Sequence, residues 1–373
     1  PLSFAAIAGR NSYEFYDPER KSPIHQWHIK NGAVFEDVGQ WKRPWYFPNS
    51  KSESMHDAVQ RESKNVRENA GVLDGSTLGK IEIKGKDALN FMNLIYTNSF
   101  TKMKPGSARY ALMLGEDGMV KDDGIICKIS DEHFIATTTT GGAANVLACM
   151  EEYAQTEWPN LKVYMNSITE QFATFNISGP KTREIMNKVF SEIDFSNEAF
   201  PFMTFQFHEF EKTQIRIMRA SFTGEMGYEI YVPANSALKI WERIHEYGKE
   251  FGLIPYGTET MHLLRAEKGY IIVGQDTDGS ITPIDLGLNW MIGKNKTDFL
   301  GKRSLTRSDT VRPDRKQLVG IIPTNKEDQI QEGQHILLQE TIETPVPMLG
   351  HITSSYHSPT MGHTFGLAVI KDG

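Results

Sequence analysis

Three carboxylates in the sequence stand where strands are predicted to begin, an arrangement that can bind or deprotonate a ligand. Asp122 and Asp123 follow the turn signal Asp117-Gly118, and Glu229 follows a second turn that is bounded by glycines. Because side chains alternate along a strand, Asp122 and Asp123 must lie on opposite faces. An inward carboxylate can accept a proton or ligand hydrogen bonds. Turn chemistry alone also explains such residues, and this alternative stays open at this point.

An arginine and two aromatic residues accompany these carboxylates. Arg265 lies among the apolar residues of a predicted helix, which makes it a candidate for a buried ion pair with a carboxylate. Tyr110 precedes the first turn, and Trp290 ends a stretch that starts at Thr282. A carboxylate can accept two parallel hydrogen bonds from an aminopyrimidine edge while aromatic rings stack on the ligand's faces. The set therefore suits a flat, polar, aromatic ligand.

The elements that must position these residues are short strands mixed with helices. The apolar runs 110–114 and 125–129 predict a β-hairpin around Asp117-Gly118. Three strands are predicted between residues 200 and 232, and a helix is predicted over 258–269. Mixed strands and helices at this spacing indicate an α+β class and argue against an all-parallel, doubly wound sheet.

The length of 373 residues predicts two or three domains, and composition places their boundaries. Residues 1–50 are rich in aromatics and proline without clear periodicity, so we interpret them as an extended N-terminal arm. We assign residues 51–160 and 161–295 to two α/β domains. Residues 296–373 turn strand-like, which indicates a small closed β-domain.

The composition excludes several functional classes. A net charge of -7 argues against nucleic-acid binding, and no apolar run reaches the roughly 20 residues of a membrane span. Only two cysteines occur, and neither they nor the histidines show metal-ligand spacing, so no metal site is predicted. The beginning of the sequence does not read as a secretory signal, and we expect a reducing, cytoplasmic location. Glycine-rich signatures for dinucleotides and nucleoside triphosphates are absent.

Several long motifs resemble the glycine-cleavage T-protein family, the folate-dependent aminomethyltransferases. The resemblance is closest to the C-terminal half of the α subunit of heterotetrameric sarcosine oxidases, and it runs from about Ser22 to the end. It implies a three-domain cloverleaf of two mixed α/β domains and a small C-terminal β-barrel. The motifs include Gly32-Ala-Val-Phe-Glu-Asp-Val-Gly-Gln-Trp-Lys-Arg-Pro-Trp-Tyr-Phe-Pro48, Pro255-Tyr-Gly-Thr-Glu259, Arg265-Ala-Glu-Lys-Gly269 and Gly274-Gln-Asp-Thr-Asp-Gly279.

The resemblance also implies roles for the carboxylates and the arginine. The family's catalytic aspartate falls on Asp123, so Asp122 is expected to point away or to serve the turn. The pterin-binding carboxylate falls on Glu229 within Thr223–Ile230. The arginine of the following helix falls on Arg265, which is expected to neutralise Glu229 or to contact the folate.

Aromatic and polar contacts follow from the same resemblance. Contacts with the pterin or the p-aminobenzoyl group fall on Tyr110 and Trp290. An asparagine that is usual in T-proteins is replaced within the threonine run 137–140, at Thr139, and a usual tyrosine is replaced by Phe222. These two departures concern an aminomethyl substrate carried on lipoyl more than they concern folate binding.

The implied activity is tetrahydrofolate-dependent one-carbon transfer that produces 5,10-methylene-tetrahydrofolate, within a sarcosine oxidase α-like subunit. No flavin site is expected in this chain, and FAD, FMN and NAD are expected on other parts of such a complex, whose flavoprotein subunits would be partners. One alternative is a free-standing, folate-dependent aminomethyltransferase or demethylase. Another is a non-catalytic assembly scaffold that keeps the T-protein fold.

Overall fold

The computed structural model describes residues 18–339 and 344–373, and strands dominate this part of the chain. The strands are β1 (Arg20–Lys21), β2 (Val34–Val38), β3 (Trp41–Tyr46), β4 (Ala70–Asp74), β5 (Gly79–Lys84), β6 (Ser107–Leu114), β7 (Val120–Ser130), β8 (His133–Thr138), β9 (Tyr164–Ser167), β10 (Phe172–Ser178), β11 (Phe205–Phe210), β12 (Thr213–Met218), β13 (Gly227–Pro233), β14 (Leu253–Pro255), β15 (Lys316–Ile321), β16 (His335–Leu337), β17 (Met348–Ser358) and β18 (His363–Lys371). The α-helices are α1 (His25–Lys30), α2 (Met55–Glu68), α3 (Ala88–Ile95), α4 (Ala143–Thr156), α5 (Thr182–Val189), α6 (Ala237–Gly248) and α7 (Thr258–Ala266). No helix in the described ranges has the length and apolar character needed to cross a membrane.

The N-terminal segment is not the extended arm that the sequence predicts, as far as the structure describes it. Residues 18–50 contain α1 and a three-stranded sheet in the order β1-β3-β2. Trp41 and His28 are buried, and His28 Nε2 lies 2.9 Å from a carboxylate oxygen of Asp74. Short strands that contain Pro44 and several charged residues lack the alternation that reveals a strand in sequence. Residues 1–17 of the predicted arm lie outside the described ranges.

Two large sheets form the body of the molecule. One has six strands in the order β11-β12-β13-β10-β4-β14, and the other has five in the order β6-β7-β8-β5-β9. Strand β4 lies in the six-stranded sheet although it falls within the predicted domain 51–160, and β9 lies in the five-stranded sheet although it falls within 161–295. The predicted boundary at residue 160 therefore does not separate the sheets, because strand pairing here joins segments that are distant in sequence.

Each large sheet has one face covered by helices and another that faces the other sheet. Helices α5 and α6 cover the six-stranded sheet at residues such as Phe175 and Ile230, and α3 and α4 cover the five-stranded sheet at residues such as Ile81. The opposite faces pack against each other, with Cys127 of β7 in one apolar cluster with Tyr231 of β13. Residues on these two inner faces therefore lie at the interface between the sheets.

The C-terminal region folds as the predicted small β-domain. Strands β15 to β18 form an antiparallel sheet in the order β15-β18-β17-β16. The predicted helix 258–269 and the predicted hairpin around Asp117-Gly118 also form, as α7 and as β6 with β7. The α+β class predicted from the sequence is confirmed.

Gly124 allows β7 to pass close to β8, and this close approach generates a prediction. A Cβ atom on Gly124 would lie 1.9 Å from the carbonyl oxygen of Thr137. We expect Gly124→Ala to lower the free energy of unfolding by about 2 kcal/mol or more, because backbone atoms must move apart. Chemical denaturation measures this, with Gly320→Ala as the matched control, since a Cβ there meets nothing within 4 Å. Equal effects of the two substitutions would contradict the account.

Candidate functional site

The hairpin of β6 and β7 places Asp123 beside Tyr110. The Asp117 side chain accepts a hydrogen bond from the Met119 N–H at 3.0 Å, and Gly118 takes a left-handed conformation with φ of +84°. This turn sets the register that pairs Tyr110 with Ile125. The Tyr110 hydroxyl donates a hydrogen bond of 2.5 Å to Asp123. The half-buried carboxylate thus has a fixed orientation at the strand's start.

Asp123 lies on the face of its sheet that is turned toward the other large sheet. Asp123, Ile125 and Cys127 alternate along β7 and share one face. The Cys127 sulfur lies 3.7 Å from the sulfur of Met218, which belongs to the other sheet. The face that carries Asp123 is therefore the inner face of its sheet.

Asp122 lies on the opposite face of β7 and so points away from Asp123, and it is buried there rather than serving the turn. It is 3% exposed, and it accepts hydrogen bonds from the Thr139 hydroxyl at 2.7 Å and from the Thr139 N–H at 3.3 Å. The Thr139 oxygen in turn accepts from the Gly142 N–H at 3.0 Å, at the start of α4. Thr139, a predicted cofactor contact, thus donates its hydrogen bonds to Asp122 and not to Asp123.

Both aspartates have pKa values moved toward neutrality. Burial raises the pKa of Asp122 to about 7, against the Thr139 hydrogen bonds, and the nearby charge of Asp123 adds to the rise. Burial raises the pKa of Asp123 to about 6, and the hydrogen bond from Tyr110 limits this rise. A carboxyl group with such a pKa exchanges protons readily near neutral pH, which suits Asp123 to acid–base chemistry.

Glu229 presents a second carboxylate on the inner face of the other sheet. Antiparallel pairing of β10 with β13 sets Asn176 directly opposite Glu229. The carboxylate accepts hydrogen bonds from the Tyr231 hydroxyl at 2.5 Å and from the Asn176 amide at 3.2 Å. Tyr228 and Ile230 lie on the helix-covered face, as the alternation predicts. Burial raises the pKa of Glu229.

A small pocket lies beside Glu229 and has the chemistry to accept hydrogen-bond donors. The side-chain oxygen of Asn176 is buried and lacks a hydrogen-bond partner within the described ranges. With the Glu229 carboxylate it offers adjacent acceptors, which match the donors on an aminopyrimidine edge. Apolar and aromatic side chains form much of the remaining wall. The lining residues besides Glu229 are Leu73, Asn176, Ser178, Ala220, Ser221, Phe222, Thr223, Tyr228, Tyr256 and Met261.

Arg265 forms a buried ion pair, as predicted, but its partner is not Glu229. The fully buried guanidinium contacts the carboxylate of Asp276 and donates to the Ser354 hydroxyl at 2.8 Å and to the Tyr270 carbonyl at 2.9 Å. Asp276 also accepts a hydrogen bond from Ser354, at 2.9 Å. The expectation that Arg265 neutralises Glu229 is therefore wrong. Arg265 instead connects α7 to β17 of the C-terminal domain.

Trp290 is the most accessible of the predicted contacts. It lies in the 3-10 helix Asn289–Met291, with 66% of its surface exposed. Leu288 and Met291, its close neighbours in sequence, belong to the same apolar cluster as Tyr110. Trp290 therefore lies next to residues that pack with Tyr110, and its contact with a ligand stays a prediction.

Sequence reasoning missed Asn176 and Tyr231 as partners of Glu229. Asn176 is a lone amide within the apolar strand β10, which is a weak signal of an inward polar group. Its pairing with Glu229 joins segments 53 residues apart, and the sequence does not specify that register. In the described ranges, no group of three or more histidine, cysteine, aspartate or glutamate residues could hold a metal ion.

Comparison with family models and related sequences gives a consistent assignment. Residues 24–296 match the GCVT N-terminal domain, and residues 316–373 match the glycine cleavage T-protein C-terminal barrel domain. The sarcosine oxidase subunit alpha of Corynebacterium sp. (strain U-96) is 52% identical over all of this chain and 39% of its own length. The Rhizobium meliloti (strain 1021) subunit is 42% identical over all of this chain and 38% of its own length. The chain thus spans about two fifths of these relatives.

Relatives of similar length also exist. The aminomethyltransferase of Thermotoga neapolitana is 30% identical over 94% of this chain and 90% of its own length. Among solved structures, the glycine cleavage system aminomethyltransferase T from Bartonella henselae superposes with a TM-score of 0.80. It covers 94% of this chain and 90% of that one, at 23% identity. This similarity confirms the predicted T-protein-like fold.

The Arg265–Asp276 pair generates a stability prediction. Asp276→Asn leaves the Arg265 charge buried without an anion, so we expect the free energy of unfolding to fall by about 3–5 kcal/mol. Chemical denaturation measures the loss. Asp314→Asn breaks an ion pair whose two side chains are accessible to solvent, and it serves as a control with a much smaller expected loss. A loss below about 1 kcal/mol for Asp276→Asn would remove the structural role assigned to the buried pair.

Asp122 generates a prediction about pH. Its pKa of about 7 in the folded protein exceeds the ordinary value of 3.8, so the stability that it contributes at low pH is lost as pH rises through 7. We expect the free energy of unfolding of Asp122→Asn, relative to that of the unaltered protein, to rise by about 2–3 kcal/mol when the pH is raised from 5 to 8. Urea unfolding at both pH values measures the difference. Asp117→Asn on the turn controls for the amide substitution, and a pH-independent difference for Asp122→Asn would refute the assignment.

Proposed function

Because the chain belongs to the glycine cleavage T-protein family, we propose that it binds a reduced folate and transfers a one-carbon unit to it. The observation that carries the proposal is the pair of carboxylates on the inner faces of the two sheets. Asp123 is held by Tyr110, and Glu229 is held by Tyr231 and Asn176. Glu229 can thus bind a pterin, and Asp123 can accept or donate a proton.

Glu229 and Asn176 would hold the pterin. Its aminopyrimidine edge carries N–H donors, and these residues offer a carboxylate and a free amide oxygen as acceptors. Phe222 and Met261 in the pocket wall would contact the flat ring. Tyr110 and Trp290 would contact the pterin or the p-aminobenzoyl group at the other end.

Asp123 would act on the nitrogens that accept the one-carbon unit. When bound, tetrahydrofolate supplies these nucleophilic nitrogens and yields 5,10-methylene-tetrahydrofolate. With a pKa of about 6, Asp123 is mostly ionised at neutral pH. It can therefore accept a proton or stabilise positive charge that develops on a nearby nitrogen. The Tyr110 hydroxyl fixes the carboxylate for this task.

We place this activity in the folate-binding part of a sarcosine oxidase α-like subunit. The support is 52% identity over the full chain to a sarcosine oxidase subunit alpha of which the chain spans 39%. The remainder of such an assembly would carry FAD, FMN and NAD, and its flavoprotein subunits would supply the oxidised one-carbon group. The buried free thiols of Cys127 and Cys149 fit a cytoplasmic location.

A free-standing aminomethyltransferase or demethylase is the second candidate. It is favoured by the match to aminomethyltransferases over 90% of their own length. The two candidates differ in their need for a flavoprotein. Turnover by the purified chain on a small amine or sulfonium donor, with folate alone, would favour the second candidate.

The role of Asp123 generates the functional prediction. We expect Asp123→Asn to reduce formation of 5,10-methylene-tetrahydrofolate at least 100-fold in a complex reconstituted with its flavoprotein chains, because proton transfer and charge stabilisation are lost. Product formation is measured by chromatography. Glu116→Gln, on the exposed turn of the same hairpin, is the control and should retain activity. An unchanged rate for Asp123→Asn would favour a non-catalytic scaffold.

A further inference from the structure

Arg216 is a buried cation that forms no ion pair within the described part of the chain. The guanidinium carbon lies 3.9 Å from the ring centroid of Tyr231, and the residue is 5% exposed. Its side chain makes no hydrogen bond to any residue in the ranges 18–339 and 344–373, and Nε is fully enclosed. Pairing of β12 with β13 sets Arg216 opposite Tyr231, so Arg216 lies on the inner face with Glu229. A buried, unpaired charge is costly and calls for a nearby anion.

Lys80 approaches the same space from the facing sheet. It lies on β5, on the face opposite Ile81, whose side chain packs under the helices. Its ammonium donates to the carbonyl oxygens of Ser76 and Leu78, each at 2.9 Å. Lys80 is 1% exposed and forms no salt bridge within the described part of the chain.

We propose that Arg216 and Lys80 are positioning residues that keep Glu229 ionised, so that it can accept hydrogen bonds from the aminopyrimidine edge of the ligand. The inference rests on the proposed function for the identity of that ligand. Glu229 accepts hydrogen bonds from the Tyr231 hydroxyl and the Asn176 amide, and both of these donors are neutral. The compensating charge must therefore come from the two buried cations.

The other groups near Glu229 do not supply positive charge. The titratable neighbours on the surrounding elements are the Tyr231 phenol, the Cys127 thiol and the Tyr256 phenol, all uncharged at neutral pH. Two further carboxylates act on Lys80: Asp74, which contacts His28 at 2.9 Å, and Glu170, which forms an ion pair with Arg20. Glu229 is thus the carboxylate left for both cations.

The charge state of Glu229 decides what the pocket can recognise. An ionised carboxylate only accepts hydrogen bonds, whereas a protonated one also presents a donor toward the ligand's own donors. Burial raises the pKa of Glu229, and the Tyr231 hydrogen bond, followed by the Arg216 and Lys80 charges, opposes this rise. Burial lowers the pKa of Lys80 to about 7, so Arg216 is the cation that remains charged above neutral pH.

The test follows the Glu229 carboxyl group directly and does not require folate. Infrared titration of the ligand-free protein detects the protonated carboxyl, and Glu229→Gln identifies its signal. We expect Arg216→Met to raise the midpoint of this titration by about one pH unit and Lys80→Met to raise it by a smaller amount. Arg216→Lys keeps the positive charge, so the midpoint of the Glu229 titration should return close to that of the unaltered protein.

Arg243→Met is the matched control. Arg243 also stacks on an aromatic ring, with its guanidinium carbon 4.7 Å from the Tyr247 centroid, but it lies on α6, which covers the opposite face of the sheet. Arg243→Met should leave the midpoint of the Glu229 titration unchanged. An unchanged midpoint in Arg216→Met would overturn the inference. If Arg216→Met does not fold, equal midpoints for Lys80→Met and the unaltered protein would overturn it.

A ligand measurement separates this inference from the proposed function. In the Asp123→Asn background, the affinity for 5-formyl-tetrahydrofolate should fall in acid with the midpoint of Glu229, and Arg216→Met should move that fall to higher pH. A uniform loss of affinity at every pH would indicate a purely structural role and would contradict the inference. A shifted carboxyl titration without folate binding at any pH would refute the proposed function and leave the electrostatic inference standing.

Discussion

The candidate site depends on the alternation of side chains along β7, which sends two adjacent carboxylates to opposite faces of one sheet. Asp122 turns toward the helical side and, through Thr139, fixes the start of α4. Asp123 turns toward the other sheet and is held by Tyr110. Gly124, the next residue, allows the strand to approach Thr137 closely. The structure therefore uses one carboxylate to anchor the scaffold and leaves the other for chemistry.

Burying these acids has a physical cost that explains their chemical character. Removal from water raises the pKa values of Asp122, Asp123 and Glu229. A folded protein retains such groups when other interactions hold them or when function requires them. Asp122 has a scaffold role. Asp123 and Glu229 face the same space between the sheets, and this shared location is what supports a two-part ligand site.

Local patterns predicted the parts of the fold that depend on neighbouring residues. The hairpin of β6 and β7 was predictable because the turn signal and the apolar runs are adjacent in sequence. The strand period placed Asp122 and Asp123 on opposite faces, and the family resemblance indicated which of the two points inward. The buried pairing of Arg265 was also predictable from its apolar helical surroundings, and α7 forms where the pattern places it.

Long-range choices were not predictable from the same patterns. Asp276 became the partner of Arg265 because packing of the C-terminal domain brings Ser354 and Asp276 to the same place. Asn176 meets Glu229 through a register between separate strands. The N-terminal sheet was missed because its short strands lack alternation and its stability comes from contacts with distant segments, such as that of His28 with Asp74.

The central claim is that the space between the sheets binds a reduced folate, and calorimetric titration of the purified chain with 5-formyl-tetrahydrofolate tests it most directly. The account predicts a single site per chain with micromolar or tighter affinity, weakened strongly by Glu229→Gln. The absence of binding at millimolar folate, or equal affinity in Glu229→Gln, would contradict it.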